Sequence, residues 1–251
     1  MFRRNLLAFL CALSMLPVSA SFAKSPTIED GVLLVGTDSS FAPFEFLAED
    51  GKNFTGFDMD LIRAIGKELG YKVVVQNMGF DATVPALRTG IVDAVIAGMT
   101  INEKRKKFVD FSDPYYTSGL IIMVPSSDTT TKSIKDLEGK KIGVQLGTTG
   151  DIYAGDIKDA TVERYNKGFE AVQALTQDKI DAVVIDGEPA KVFVKENEGL
   201  KMLDEAFTEE DYAIAVAKGN DELLDKINTA LGELKDSGEL DKIVDKYITA
   251  E

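Results

Sequence analysis

No histidine occurs anywhere in the 251-residue chain. That removes imidazole as a general base, as the partner of a nucleophilic serine and as a metal ligand. Cysteine is nearly absent: the single one, Cys11, lies inside the first apolar run. Beyond that run neither a disulfide framework nor thiolate chemistry is available. Basic residues are few beside acidic ones, 28 against 42, for a formal net charge of -14. A chain so acidic is a poor match to the phosphates of nucleic acid and attracts cationic ligands by long-range steering. Long apolar runs are missing too. The run Leu6 to Leu16 covers eleven residues, too few to span a bilayer.

What is present begins with an address. Arg3 and Arg4 precede the apolar run, and Ser21-Phe22-Ala23 places small residues two apart. This pattern predicts a secretory signal peptide over 1–23, removed after Ala23. Leu10 stands before Cys11 where a lipoprotein signal needs a small residue, so no lipid anchor is expected. An exported chain without disulfides fits a bacterial periplasm.

The length allows one large or two small domains. Strands and helices alternate along it. GVLLVGTD (31–38), KVVVQNM (72–78) and IVDAVIAGM (91–99) read as strands, as do KIGVQ (141–145) and DAVVI (181–185). GFDMDLIRAIGKELG (56–70) is predicted as a helix with Leu61, Ile62, Ile65 and Leu69 on one face. DATVPALRTG (81–90) is a shorter helix; others start near 148 and after Pro189. DELLDKINTALGELKDSG and ELDKIVDKYI end the chain as helices. Apolar strands separated by helices predict parallel sheets. One internal echo stands out: the segment Ala86 to Ile96 resembles the segment Ala174 to Val184 at a constant spacing of 88 residues. Either short Ala/Val/Asp words coincide, or two lobes share one topology. In open α/β sheets ligands sit beyond the carboxyl ends of strands. Here those ends are Ala97-Gly98-Met99-Thr100 and Asp186-Gly187-Glu188.

Several residues near such ends carry chemistry, each with a plainer alternative. Asp186 ends an apolar strand; it is either the cap of the next helix or a buried carboxylate that needs a cation. Gly147-Thr148-Thr149-Gly150-Asp151 opens a helix after a strand, which suits a carboxylate or phosphate, but simple capping by Thr148 or Thr149 accounts for it too. Asp38 ends the first strand, and Phe41, Phe44 and Phe46 follow; core packing suits Phe44 and Phe46. Lys104-Arg105-Lys106-Lys107 is a block of four cations, and a solvated face is the ordinary reading of any one of them.

The ordered segments GTDSSFAPFEF, GFDMDL, GFDATVPAL, AGMTINEKRKKFVDFSDPYY, GVQLGTTGD and DAVVID resemble the polar amino-acid-binding proteins of ABC importers, solute-binding protein family 3. The resemblance runs over essentially the whole chain beyond the signal peptide. It implies an α/β, two-lobed periplasmic binding protein (type II) fold, with discontinuous lobes joined by two hinge strands. One lobe is expected at 24–116 plus 212–251 and the other at 121–207, with hinges near 117–120 and 208–211. It implies a periplasmic monomer that needs no cofactor or metal, is not an enzyme, and delivers an L-amino acid to an ABC transporter membrane permease.

The resemblance also assigns the site. Arg105 matches the arginine that clamps the ligand α-carboxylate, a role suited to its planar fork of donors. Lys104, Lys106 and Lys107 keep the solvated reading. Thr100 and the amide of Thr149 complete the carboxylate site. Asp186 takes the α-ammonium with Gly98 and the Thr100 hydroxyl. Phe41 and Phe80 sandwich the side-chain stem, and Asp38 and Gln145 face its far end. Glutamine binders of this family carry a lysine where Gln145 stands and a histidine where Ile185 stands. With both absent, Asp38 is expected to lack a protein cation, and a bound guanidinium or ammonium would supply one. Arginine is therefore the first expected ligand, with lysine or ornithine beside it and glutamine second. A cyclohexadienyl dehydratase-like enzyme, with Glu188 as acid, and a ligand-sensing subunit are further alternatives.

Overall fold

Apolar runs of a few residues become the inner strands of two five-stranded sheets. The computed structural model describes residue 28 and residues 30–248; the expected signal peptide over 1–23, with Cys11, lies outside the described residues. The first sheet runs, in spatial order, Lys72–Asn77, Val32–Thr37, Ala94–Val95, Ala215–Ala217 and Val109–Phe111. The second runs Thr161–Tyr165, Lys141–Gln145, Ala182–Asp186, Leu120–Pro125 and Leu200–Met202. Each sheet with its helices is a lobe of a two-lobed α/β fold. Between them the chain crosses twice, through Tyr116–Ser118 and back through Glu210–Tyr212, which pair antiparallel.

The helix Phe57–Glu68 forms where the apolar spacing predicts it and buries Leu61, Ile62 and Ile65. The last two helices, Asp221–Asp236 and Glu239–Tyr247, pack beside it in the first lobe. Three expectations need correction. The sheets are mixed, not parallel: Ala215–Ala217 runs antiparallel to both its neighbours, and so does Leu120–Pro125. These are the strands nearest the two crossings, and a chain returning from the other lobe enters its sheet in the opposite sense. The strand expected over 91–99 is regular only at Ala94–Val95: Ile91 is still bound to Ala86 O of the preceding helix, and at Gly98 the backbone turns to φ +51°. The helix expected after Pro189 begins at Gly187, with Pro189 in its first turn, where a missing N–H costs nothing.

The internal echo has a structural cause. Ala94–Val95 and Ala182–Asp186 are both the middle strand of their sheet. In each lobe the aspartate that opens the segment reaches back to the neighbouring strand. Asp93 Oδ2 accepts from the Leu34 amide and Asp181 Oδ2 from the Lys141 amide, both at 2.8 Å. The main-chain bond that closes the preceding helix is repeated as well, Ile91 N to Ala86 O and Lys179 N to Ala174 O. The repeated letters mark one construction used twice.

Where the crossings meet the first lobe, the core is aromatic. Phe44 is fully buried, with Tyr116 and Tyr212 rings 5.1 and 5.2 Å away and Phe57 at 5.8 Å. Such edge-on packing adds to the area that each ring buries. Phe44→Ala is expected to destabilise the fold by about 3–5 kcal/mol, as a large buried ring usually does on truncation. Urea unfolding followed by circular dichroism checks this, and a loss below about 1 kcal/mol would show that the ring is not a keystone.

Candidate functional site

The two sheets point the carboxyl ends of their middle strands at one another across a cleft. In it lies a cavity walled by residues of both lobes. All nine residues singled out by sequence line this single cavity. Asp38, Phe41, Phe80, Gly98, Thr100 and Arg105 come from the first lobe; Gln145, Thr149 and Asp186 come from the second. Ala97, Thr148 and Glu45 line it as well.

Arg105 is the one member of the cationic block that is buried, at 8 % exposure; Lys104, Lys106 and Lys107 are exposed. The short helix Glu103–Lys106 carries it, and the Asn102 side chain caps that helix through the Arg105 amide at 2.8 Å. Its guanidinium donates to Thr100 O at 2.7 Å and, across the cleft, to Gly147 O at 3.2 Å. It lies 5.1 Å above the Phe80 ring. Burial lowers its pKa to about 10, so it stays charged at neutral pH. Among the described residues no carboxylate forms a salt bridge with it, so a charged fork faces the cavity with donors to spare.

Asp186 faces the same space, 6 % exposed. It stands at the N-cap position of its helix, but its side chain makes no capping hydrogen bond. Its carboxylate accepts from the Tyr212 hydroxyl and from Ser118 Oγ at 3.2 Å. Burial raises its pKa to about 7, and nearby Glu210 adds to the rise against those two bonds. Capping at the other helix belongs to Thr148, which accepts from the Asp151 amide. That leaves the Thr149 hydroxyl to look into the cleft. Gly98 is needed here for two reasons: its φ is positive, and a Cβ would meet the Phe41 ring at 2.8 Å. Its amide donates to Asp58 at 2.8 Å.

The far end of the cavity differs from expectation. Asp38 does have a protein cation: Lys167 Nζ lies 2.5 Å from Oδ1. Ser40 Oγ donates to the same oxygen at 2.8 Å. The Phe80 amide and the Gln145 side chain donate to Oδ2 at 3.1 and 2.8 Å. Lys167 opens the helix Gly168–Thr176 in the second lobe; in sequence it is one lysine after a strand, with nothing to set it apart. Glu210 is the other residue that sequence reading missed. Its Oε2 accepts both the Thr100 and the Thr149 hydroxyl at 2.7 Å, one from each lobe. Glu210 lies with Tyr212 on the buried side of the crossing strand, while Asp211 is exposed, and the acidic run Glu209–Asp211 gives no sign of this in sequence. Glu45 is also fully buried, its carboxyl pushed well above the usual carboxylate range by burial and by neighbouring Asp58 and Asp38. Glu188, the alternative acid, pairs instead with Lys191 at 2.8 Å and lies outside the cavity wall.

Comparison with known proteins places this site in context. A family described as bacterial extracellular solute-binding proteins, family 3, matches residues 33–250. The arginine-binding extracellular protein ArtP of Bacillus subtilis is 38% identical, covering 87% of each chain. The L-cystine-binding protein TcyJ of Escherichia coli K12 is 34% identical over 89% of this chain and 85% of its own. Among solved structures, an ancestral arginine-binding protein bound to arginine is 48% identical with a TM-score of 0.83, covering 87% of this chain and 98% of that one. An ancestral arginine-binding protein bound to glutamine matches with a TM-score of 0.81, 48% identical over 87% of this chain and 98% of that one.

The Asp186 shift has a sign that can be measured without ligand. Between the usual value of 3.8 and about 7, the folded chain holds a proton that the unfolded chain has lost, so stability falls as pH rises through that window. Asp186→Asn removes the titration and loses the same hydrogen bonding at every pH. Relative to the variant, the wild type is expected to lose about 2–3 kcal/mol between pH 5 and pH 8. Parallel denaturation profiles for the two proteins across that range would contradict the assignment.

Proposed function

The chain belongs to the bacterial extracellular solute-binding proteins, family 3, and on that premise we propose that it captures a polar L-amino acid, arginine before others, in the cleft and delivers it to the membrane permease of an ABC transporter. The observation that carries this reading is a buried cation and a buried acid facing one cavity, the acid with its pKa raised by burial where no cation meets it. Arg105 offers a cation and Asp186 a carboxylate. Neither forms a salt bridge with the other or with another described side chain. An α-carboxylate and an α-ammonium complete both at once. Thr100 and the Thr149 amide extend the carboxylate site, Gly98 and the Thr100 hydroxyl assist Asp186, and Phe41 and Phe80 hold the side-chain stem between them. Asp38 and Gln145 meet its far end.

Arginine comes first because the cleft is short of positive charge. Asp38, Glu45, Asp186 and Glu210 face two cations, Arg105 and Lys167. Burial raises the pKa of the Glu45 and Asp186 carboxyls, and a ligand that brings an added guanidinium into the cleft relieves that cost. The arginine-binding relatives support this choice, and the glutamine complex of an ancestral arginine-binding protein makes glutamine second. The chain would leave the cytoplasm through the signal peptide over 1–23 and act as a periplasmic monomer. Its lobes, 24–116 plus 212–251 and 121–207, would close on ligand about hinges near 117–120 and 208–211, as hinge-type binding proteins do.

Arg105→Ala is expected to leave the fold intact and to weaken binding of every amino acid by about 2–5 kcal/mol, because the α-carboxylate is common to all. Lys106→Ala should change affinity little. A thermal-shift screen of the twenty amino acids with ornithine identifies the ligands, and calorimetry on both variants then measures the losses. Equal losses in the two variants, or none in Arg105→Ala, would overturn the clamp; a wild type stabilised by no amino acid would overturn the function.

A further inference from the structure

Asp38 is saturated. A carboxylate has about four acceptor sites, and here four donors fill them: Ser40 Oγ and Lys167 Nζ on Oδ1, the Phe80 amide and Gln145 Nε2 on Oδ2. Its side chain is 2 % exposed, so no further donor reaches it from solvent. These donors differ in how firmly they are held. Ser40 is two residues from Asp38, and the Phe80 amide opens the helix Phe80–Arg88. Gln145 is tied a second time, to Asn166 O at 3.2 Å. Lys167 is the sole charged donor of the four. Its side chain is 25 % exposed, so it reaches in from the rim, and its other partner, Met78 O, is 3.5 Å away. Its main chain is anchored separately, the amide donating to Glu170 Oε2 at 3.0 Å. The side chain can therefore swing to water on its flexible stem without disturbing the helix start.

A second cation at Asp38 finds every acceptor site taken and would lie beside a like charge. We infer that Lys167 is a specificity-determining residue, an internal stand-in for the tip of a cationic ligand: a basic amino acid binds by displacing its ammonium from Asp38, and a neutral amino acid binds with it in place. This rests on the reading of the cleft as an amino-acid site and goes one step deeper, to what sets the choice among amino acids. The work of dislodging Lys167 is charged against every basic ligand and against no neutral one. Relatives with a different side chain at this position would thus differ in preference while keeping the same clamp for the α-groups.

The test is calorimetry with arginine and with glutamine on the wild type, Lys167→Met and Lys167→Arg. Lys167→Met keeps the stem and removes the charge; it is expected to bind arginine about tenfold more tightly than the wild type, or to gain arginine binding if the wild type has none, a change of about 1.4 kcal/mol. Glutamine should bind it no more tightly than the wild type. Lys167→Arg keeps the charge and should keep the wild-type preference within about threefold. Lys167→Gln repeats the neutralisation should the methionine variant fail to fold, as judged by circular dichroism. An arginine-to-glutamine preference in the neutral variants within about twofold of the wild type overturns the role of Lys167 and leaves amino-acid binding standing. A wild type that binds no amino acid in the screen overturns both.

Discussion

A charge taken out of water needs a partner, and in this cleft four charged groups find one outside their own lobe. Asp38 of the first lobe meets Lys167 and Gln145 of the second. Arg105 of the first reaches Gly147 O of the second. Asp186 of the second is held by Tyr212 and Ser118, one on each crossing strand. Glu210, itself on a crossing strand, gathers a hydroxyl from each lobe. Desolvation makes each of these groups costly alone. Separating the lobes would break every set together, and water would have to replace them. The apolar part of the wall supplies shape; the charged part decides whether the lobes stay together.

The same constraint explains which parts of the molecule could be read from sequence. Helix Phe57–Glu68 announced itself because burial of one face imposes a spacing on neighbouring residues. The strands Lys141–Gln145 and Ala182–Asp186 did so because burial on both faces demands an unbroken apolar run. Asp186 and Thr149 drew notice because each stands at a strand end or helix start, whereas Arg105 was set apart from its cationic block only by the family resemblance. Lys167 and Glu210 were not legible. Their roles depend on partners 129 and 110 residues away, and no local pattern encodes such a meeting. Missing Lys167 had a consequence, because the expectation that Asp38 lacked a protein cation rested on it. The mixed sense of the sheets was hidden for the same reason: the run Leu120–Pro125 looks alike in either direction, and its direction follows from where the chain has just been.

The two lobes also show how one construction can serve unequal ends. The aspartates at 93 and 181 tie equivalent strands in equivalent ways, and the strands after them end at the cleft. Yet one ends in Gly98, whose missing side chain makes room for the Phe41 ring, and the other in a carboxylate, Asp186. Repetition supplies the frame, and single positions at its edge supply the chemistry.

One further consequence follows from the place of Ala215–Ala217 in the first sheet. That strand is not at an edge; it lies between Ala94–Val95 and Val109–Phe111. The second sheet, in contrast, draws only on residues 120–202. Domains tend to fold as their sequence becomes available. The second lobe therefore has all its strands by residue 202, whereas the first keeps an open seam until residues 215–217 arrive. The first sheet is thus closed by a strand that lies about a hundred residues beyond the rest of it, and it cannot be whole until that strand has joined.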